Sequence, residues 1–217
     1  MGWNPVLKTR MDDPELVSMV AKSYESLGLS EKALQVLAVD FGIGVNKGFY
    51  APESELYLAQ LYFKSNRYYE THRTLDLMRE SNLPRDLMAK ITFLEAQTFL
   101  AEGDLKAAKS LFEKTAQTEE FRTQSYVALG ILARQAGDCE TAVAHLRPTV
   151  LPVEGNATDD PLAFLYLSQC LGETGEFALA AEVAEALQLV SSNPDEIQHA
   201  QYLQAKFAGA DSVSMQA

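Results

Sequence analysis

The chain has 217 residues, 47% of them hydrophobic, and a formal net charge of -12. This length allows a sizeable core, and the acidic balance argues against nucleic-acid binding, which needs clustered Lys and Arg. No run of about 18 apolar residues and no signal-peptide pattern at residues 1–6 is found, so we expect no membrane insertion and a soluble, cytoplasmic protein. A processed or excised secreted fragment would show the same features.

One local pattern recurs around five turns, which are separated by 38, 37, 34 and 38 residues. The turn residues are Gly28, Asn66, Gly103, Gly137 and Gly175. A small residue stands seven positions before each turn (Ala21, Ala59, Ala96, Gly130, Ser168) and another five positions after it (Ala33, Thr71, Ala108, Ala142, Ala180). Gly and Asn tolerate the left-handed conformation that ends a helix, and small residues let two helices approach closely. The period therefore predicts an array of helical hairpins.

In chain order, we expect an N-terminal extension at 1–12, followed by a single elongated domain at 13–208. Its hairpins are predicted at about 13–40, 52–81, 85–116, 119–149 and 160–190, with Asp104 and Asp138 as N-caps of second helices. A capping helix is predicted at 195–208, with Ile197, Ala200, Leu203 and Phe207 on one face. Residues 41–51 and 151–159 are predicted to be irregular, and residues 209–217 are predicted to form a disordered tail.

These hairpins resemble the tetratricopeptide repeat family, whose signature is Trp-x2-Leu-Gly-x2-Tyr, then Ala-x3-Phe, then Pro. The fourth hairpin is nearest to it, with Tyr126, Leu129 and Gly130 in the first helix and Ala142 and Leu146 in the second. Ala133 departs from the expected Tyr, and the closing Pro is mostly absent or displaced. The resemblance implies an all-α, right-handed α-solenoid of about five hairpins plus the capping helix.

Few residues in the chain suggest catalysis, metal binding or cofactor binding. The stretch Gly42–Gly48 matches no phosphate-binding loop, and the three histidines lie on different predicted helices, so no metal pair is expected. Cys139 and Cys170 are too few and too far apart in sequence to indicate a disulfide framework, and we interpret them as small packing residues in a reducing compartment. We therefore expect no enzyme, no metal and no cofactor.

The first helices of the hairpins are apolar on nearly all sides, so each side must be covered or must face a ligand. The resemblance implies that these helices line a concave groove that takes a peptide or a partner helix. Gln60, Gln97 and Gln169 would stand in one column and could hydrogen-bond a bound backbone. The complete candidate set is Met19, Lys22, Tyr57, Gln60, Phe63, Phe93, Leu94, Gln97, Leu100, Val127, Ile131, Arg134, Leu165, Tyr166 and Gln169. The alternative is that much of this apolar surface is core.

The function that follows is a non-enzymatic interaction scaffold or adaptor that binds an apolar peptide or amphipathic helix of another protein. The alternative is a structural, self-assembling repeat protein or a fragment of a longer array. Residues 151–217 carry ten acidic side chains and one basic side chain, Lys206. A partner that docks there is expected to be basic; otherwise the acidic surface serves solubility.

Overall fold

The structure is a computed structural model that describes residues 14–40, 52–153 and 157–214. Its described residues form the α-helices α1 (Pro14–Ser26), α2 (Ser30–Asp40), α3 (Pro52–Lys64), α4 (Tyr68–Arg79), α5 (Arg85–Glu102), α6 (Leu105–Thr115), α7 (Arg122–Gln135), α8 (Cys139–Val150), α9 (Pro161–Glu173), α10 (Phe177–Val190) and α11 (Pro194–Ser214). A 3-10 turn, Glu119–Phe121, precedes α7. The predicted helical-hairpin architecture is confirmed. The expected extension at 1–12 and the Gly42–Gly48 stretch lie outside the described residues.

The C-terminal helix is longer than the sequence predicts. We expected it to end at residue 208, where its apolar face ends, but α11 continues to Ser214. The prediction of a disordered tail is therefore wrong for residues 209–214, and residues 215–217 lie outside the described part of the chain. A helix that is already formed adds a residue at little cost, because each addition gains a backbone hydrogen bond, so α11 extends beyond its packed face.

The five turns have the predicted conformation. All five turn residues have positive φ, including Asn66 at 57° and Gly175 at 88°. The Asp104 and Asp138 carboxylates accept hydrogen bonds from the Ala107 and Thr141 backbone N–H groups at 3.0 Å, which confirms both N-caps.

The small residues on both sides of the turns are buried, as close helix packing requires. At Gly130 no larger residue fits without rearrangement, since an added Cβ would lie 2.4 Å from Cγ of Leu146. Ser168 donates its hydroxyl hydrogen to the Ala180 carbonyl oxygen at 2.8 Å, which links the two small positions of the fifth hairpin. These contacts explain why larger residues are excluded from these columns.

The chain divides into two compact units, residues 1–108 and 109–217. Among the described residues of unit 1, buried apolar side chains form two clusters, and α3 contributes to both. Leu58 and Leu61 pack with α1 and α2, whereas Leu56 and Ala59 pack with α4 and α5. In unit 2 a single cluster contains side chains from all the helices α7 to α11. Ala200, Leu203 and Phe207 of α11 belong to it, as the predicted apolar face requires.

Cys139 and Cys170 form a disulfide in unit 2, with Cα atoms 5.0 Å apart. Our interpretation of both cysteines as unpaired packing residues is therefore wrong. Cys139 is the first residue of α8, directly after the fourth turn, and Cys170 lies in the last turns of α9. Because α8 packs against α9, residues 31 positions apart become neighbours. The expectation of a reducing compartment, which rested on unpaired cysteines, loses that support.

In the part of the chain that the structure describes, no helix combines the length and the apolar character needed to span a bilayer.

Candidate functional site

In unit 1, two of the predicted groove residues lie together. The Lys22 ammonium of α1 is 5.5 Å from the centroid of the Tyr57 ring of α3. The Tyr57 hydroxyl donates to Glu25 at 2.6 Å, and Lys64 donates to the same carboxylate at 2.6 Å. The hydrogen bonds from Lys64 and Tyr57 hold the pKa of Glu25 below its ordinary value. Burial and the neighbouring Glu25 raise the pKa of Tyr57, so its hydroxyl remains a donor.

The other candidates in unit 1 range from exposed to buried. Met19 and Gln60 are exposed, whereas the half-buried residues are Phe63, Phe93, Gln97 and Leu100. Leu94 differs from this set, because only 5% of it is exposed and it packs in the cluster formed by α3, α4 and α5. Leu94 is therefore a core residue, and our expectation that it faces a partner is corrected.

A pocket of about 340 Å³ opens in unit 2. It is lined by Arg134 of α7, by Gln169, Gly172 and Glu173 of α9, by Phe177 of α10 and by His199, Tyr202, Leu203, Lys206, Phe207 and Ala210 of α11. Apolar and aromatic side chains provide most of the walls, and a few charged or amide groups stand among them.

A glycine of α9, Gly172, allows α11 to pack closely against α9 at the pocket. At Gly172 an added Cβ would lie 2.1 Å from Cε1 of Phe207, so only a glycine lets that ring pack directly on the α9 backbone. The Phe207 ring also lies 6.4 Å from the Phe177 ring, centroid to centroid, in a stacked arrangement. The floor of the pocket is thus built from side chains that also hold α11 against the hairpin before it.

The charges of the pocket are partly paired. Nη2 of Arg134 is 2.9 Å from Oε1 of Glu173, and Oε2 of Glu173 is 3.2 Å from Sγ of Cys139. The Lys206 ammonium lies 5.3 Å from the centroid of the Phe207 ring. The pocket therefore combines an ammonium group over an aromatic ring with the ion pair between Arg134 and Glu173.

Two predicted site residues, Arg134 and Gln169, meet at this pocket. Val127 does not reach a surface, since it is 6% exposed and lies in the core of unit 2, so its assignment to the groove is corrected. Ile131, Leu165 and Tyr166 are half-buried and pack against that core.

Helix α11 lines the pocket with six residues, whereas from the sequence we interpreted it only as a cap. A usable signal was present: Tyr202 and Lys206 are one helical turn apart, beside the apolar positions Leu203 and Phe207. Lys206 is also the sole basic residue after position 150.

Among the described residues, no group of three or more His, Cys, Asp or Glu side chains is placed to hold a metal ion.

No protein-family model matches the sequence, and no curated protein sequence matches it. Solved structures do match. The C-terminal part of a TPR repeat-containing protein from Cytophaga hutchinsonii superposes with a TM-score of 0.69 at 14% identity, covering 91% of this chain and 72% of that one. The chain has a tetratricopeptide-like fold.

Two further tetratricopeptide structures support this conclusion. YrrB, described as a TPR protein with an unusual peptide-binding site, matches with a TM-score of 0.61 at 12% identity, over 91% of this chain and 96% of that one. MamA matches with a TM-score of 0.61 at 11% identity, over 82% of this chain and 91% of that one. At these identities the likeness concerns the fold.

Proposed function

We propose that the protein is a non-enzymatic interaction scaffold that binds a short apolar segment of another protein on the first helices of its hairpins. The observation that carries the proposal is the pocket of unit 2. There Arg134 and Gln169, which were selected from the sequence as partner-binding residues, lie with the aromatic side chains of α10 and α11 around one cavity. Peptide binding by the similarly folded YrrB supports the same class of function.

The dimensions and chemistry of the pocket suit one or two side chains of a peptide. A cavity of about 340 Å³ is at the small end of ligand pockets. Burying one large aliphatic or aromatic side chain there would contribute about 1.5–3 kcal/mol. Gln169 offers both a donor and an acceptor to the peptide backbone. The bound segment is therefore an apolar anchor residue within an extended or helical stretch.

The excess of acidic side chains in residues 151–217 favours basic residues next to that anchor. Glu173 and Glu176 form ion pairs with Arg134 and Arg147, whereas Glu182 and Glu185 are exposed on α10. Exposed carboxylates attract a cationic partner over about one Debye length, or roughly 8 Å at physiological salt. The partner chemistry that fits is an apolar anchor flanked by Lys or Arg.

The test starts from a phage-displayed library of random peptides selected on the whole protein. We expect enrichment of peptides with an apolar anchor and neighbouring basic residues. Tyr202→Ala should weaken binding of the selected peptide at least about tenfold, because Tyr202 is a pocket wall and contributes a large contact area. Tyr69→Ala is the matched control: both tyrosines are exposed, at 62% and 73%, but Tyr69 lies on α4 in unit 1. Isothermal titration calorimetry measures both affinities.

Two results would contradict the pocket as the binding site. If no peptide is enriched, or if Tyr202→Ala and Tyr69→Ala bind the selected peptide equally well, the pocket is not the binding site. Self-association is the second candidate, because Leu189 of α10 is a large apolar side chain that is 87% exposed. Light scattering over a range of concentrations separates the two functions. Under the proposal the molar mass stays constant, whereas self-assembly predicts a rise that Leu189→Ser reverses.

A further inference from the structure

We propose that the Cys139–Cys170 pair is a site of reversible thiol–disulfide exchange, at which a dithiol reductant attacks Sγ of Cys139. We infer further that the redox state of the pair controls the adjacent pocket. The second statement rests on the proposed binding function, whereas the first does not.

The two cysteines differ in exposure. Cys170 is fully buried within α9, but Cys139 is partly exposed at the first position of α8. A disulfide with only a structural purpose is protected best when both sulfurs are shielded, because exchange requires an attacking thiolate to reach one of them. Here Cys139 is partly exposed and Cys170 is not. The geometry therefore selects Cys139 as the atom that is attacked and Cys170 as the leaving thiolate.

The reaction balances with a dithiol as the electron donor. Its first thiolate attacks Sγ of Cys139, the bond between the two protein sulfurs breaks, and the Cys170 sulfur leaves with the electron pair and takes up a proton. The second thiol of the reductant then loses its proton and displaces Cys139 from the mixed disulfide. Two protein thiols and one oxidised reductant result. Reoxidation by a disulfide of higher potential runs the same steps in reverse.

The pair is connected to the pocket through α9. Cys170 directly follows Gln169, and Glu173 lies one turn further on; both of these neighbours line the pocket. Oε2 of Glu173 is 3.2 Å from Sγ of Cys139, and Oε1 of Glu173 is 2.9 Å from Nη2 of Arg134. One carboxylate thus contacts the exchangeable sulfur and the cation of the pocket at the same time.

Reduction changes which hydrogen-bond donors are available to the Glu173 carboxylate. In the disulfide, Cys139 has no proton to donate, so Arg134 is the donor that holds Glu173. In the reduced protein Cys139 carries an S–H group that can donate to Glu173 and compete with Arg134. The covalent tie between the start of α8 and the end of α9 is lost as well. A site that was held in one geometry then has to be ordered when it binds, which lowers its affinity.

The first experiment needs no binding partner. Purified full-length protein is compared with and without dithiothreitol, and free thiols are counted by mass after alkylation. Hydrogen exchange is then followed in peptides covering 139–146 and 166–176. We expect dithiothreitol to release both thiols under native conditions and to speed exchange in these segments about threefold or more, with unchanged exchange in 85–102 of unit 1. Thiols that appear only after unfolding would overturn the exchange site, and identical hydrogen exchange in both states would overturn the loosening of α8 and α9 on reduction.

The second experiment tests the link to the pocket. The selected peptide is titrated into oxidised and reduced protein, and affinity is expected to fall about threefold or more on reduction. Cys139→Ser keeps a donor beside Glu173 but cannot form the bond, so it should bind like the reduced protein whether or not dithiothreitol is present. Equal affinity of the oxidised and reduced protein would overturn the coupling.

Two controls keep the outcomes separate. Far-UV circular dichroism establishes that Cys139→Ser is folded; if it is not, the reduced wild-type protein alone decides the coupling. If no peptide binds at all, the proposed function fails, whereas the thiol count and the hydrogen exchange still decide the exchange site.

Discussion

The two units are built from the same hairpin pattern but differ in how their cores are joined. Among the described residues, buried apolar side chains of unit 1 form two clusters that share α3, whereas one cluster in unit 2 contains side chains from all the helices α7 to α11. Unit 2 also carries the disulfide. The turns and small residues that define the repeat therefore determine the helices, but the side chains between them determine how far a core extends.

The charged side chains of the first helices differ between the units as well. In unit 1, Glu25 accepts from both Tyr57 and Lys64, and Glu95 forms a two-point ion pair with Arg79. In unit 2, polar groups of α9 and α11 surround a cavity. Unit 2 has ion pairs as well, Arg134–Glu173 and Arg147–Glu176, and the first of these stands at the cavity.

The largest expected effect is on the packing of α11 in unit 2. Gly172→Ala places a methyl group where the Phe207 ring lies, so we expect a loss of up to about 3 kcal/mol in the free energy of unfolding and a loss of peptide binding. Urea unfolding followed by circular dichroism measures the first effect.

Gly209→Ala is the matched control for this substitution. Gly209 is also a helical glycine, but an added Cβ meets nothing within 4 Å, so higher helix propensity should stabilise the protein by about 0.5–1 kcal/mol. If the two substitutions shift the urea midpoint in the same direction, the contact between Gly172 and Phe207 does not hold α11.

The second effect concerns the ion pair of unit 1. The Glu95 side chain is 12% exposed and that of Arg79 is 30% exposed, so Glu95→Ala leaves a largely desolvated guanidinium without its main partner. We expect a loss of about 2 kcal/mol in the free energy of unfolding, at the low side of the range for buried pairs because Arg79 keeps some contact with water.

A double variant separates the ion pair from simple packing. Arg79→Met with Glu95→Leu removes both charges and keeps apolar volume, so it should be within about 1 kcal/mol of the wild-type protein. A double variant that is less stable than Glu95→Ala would contradict the idea that the unpaired charge causes the loss.

A smaller effect is expected on the rate of association. Glu182→Gln with Glu185→Gln removes two exposed carboxylates from α10 without breaking the ion pairs of Glu173 and Glu176. The on-rate of the selected basic peptide should fall severalfold at low salt and change little at high salt, because screening removes the same attraction. Stopped-flow fluorescence at two salt concentrations measures it. The control is Glu53→Gln with Asp86→Asn in unit 1, and an equal effect of the control pair would contradict local steering.

The smallest effect is a difference in pH dependence. Burial, aided by Lys109, holds the pKa of His145 in unit 2 below its ordinary value of 6.5. The unfolded chain therefore binds a proton at His145 before the folded chain does, so unit 2 should lose stability as pH falls through 6.5. The pKa of Glu25 in unit 1 is instead lowered from 4.5, so its contribution persists above that pH and is lost only below it.

Hydrogen exchange at pH 7.5 and 5.5, corrected for the intrinsic rates, tests this difference. We expect lower protection in α8 at pH 5.5 and unchanged protection in α3. His145→Gln should remove the change in α8. Equal losses of protection in α3 and α8 would show that the two units respond to pH through other groups.

The sequence predicted the hairpins well, because their determinants are local. A glycine or asparagine at a left-handed turn, or an aspartate at an N-cap, acts on its own neighbours in the chain, and Asn66 and Asp138 adopt the predicted conformations. The pocket and the disulfide depend on which residues of successive helices come together. The closeness of Gly172 and Phe207, or of Cys139 and Cys170, is set by packing between elements and has no local signal.

The position of Phe207 has a practical consequence for finding the natural partner. The ring belongs to the core of unit 2 and to the pocket floor, so a molecule that binds there should be bound by the folded state alone. By mass action, a ligand at 100 times its dissociation constant adds about 2.7 kcal/mol to the free energy of unfolding. Melting curves recorded against a panel of candidate peptides would therefore rank binders before any of them is identified, and Gly172→Ala provides a protein in which that ranking should collapse.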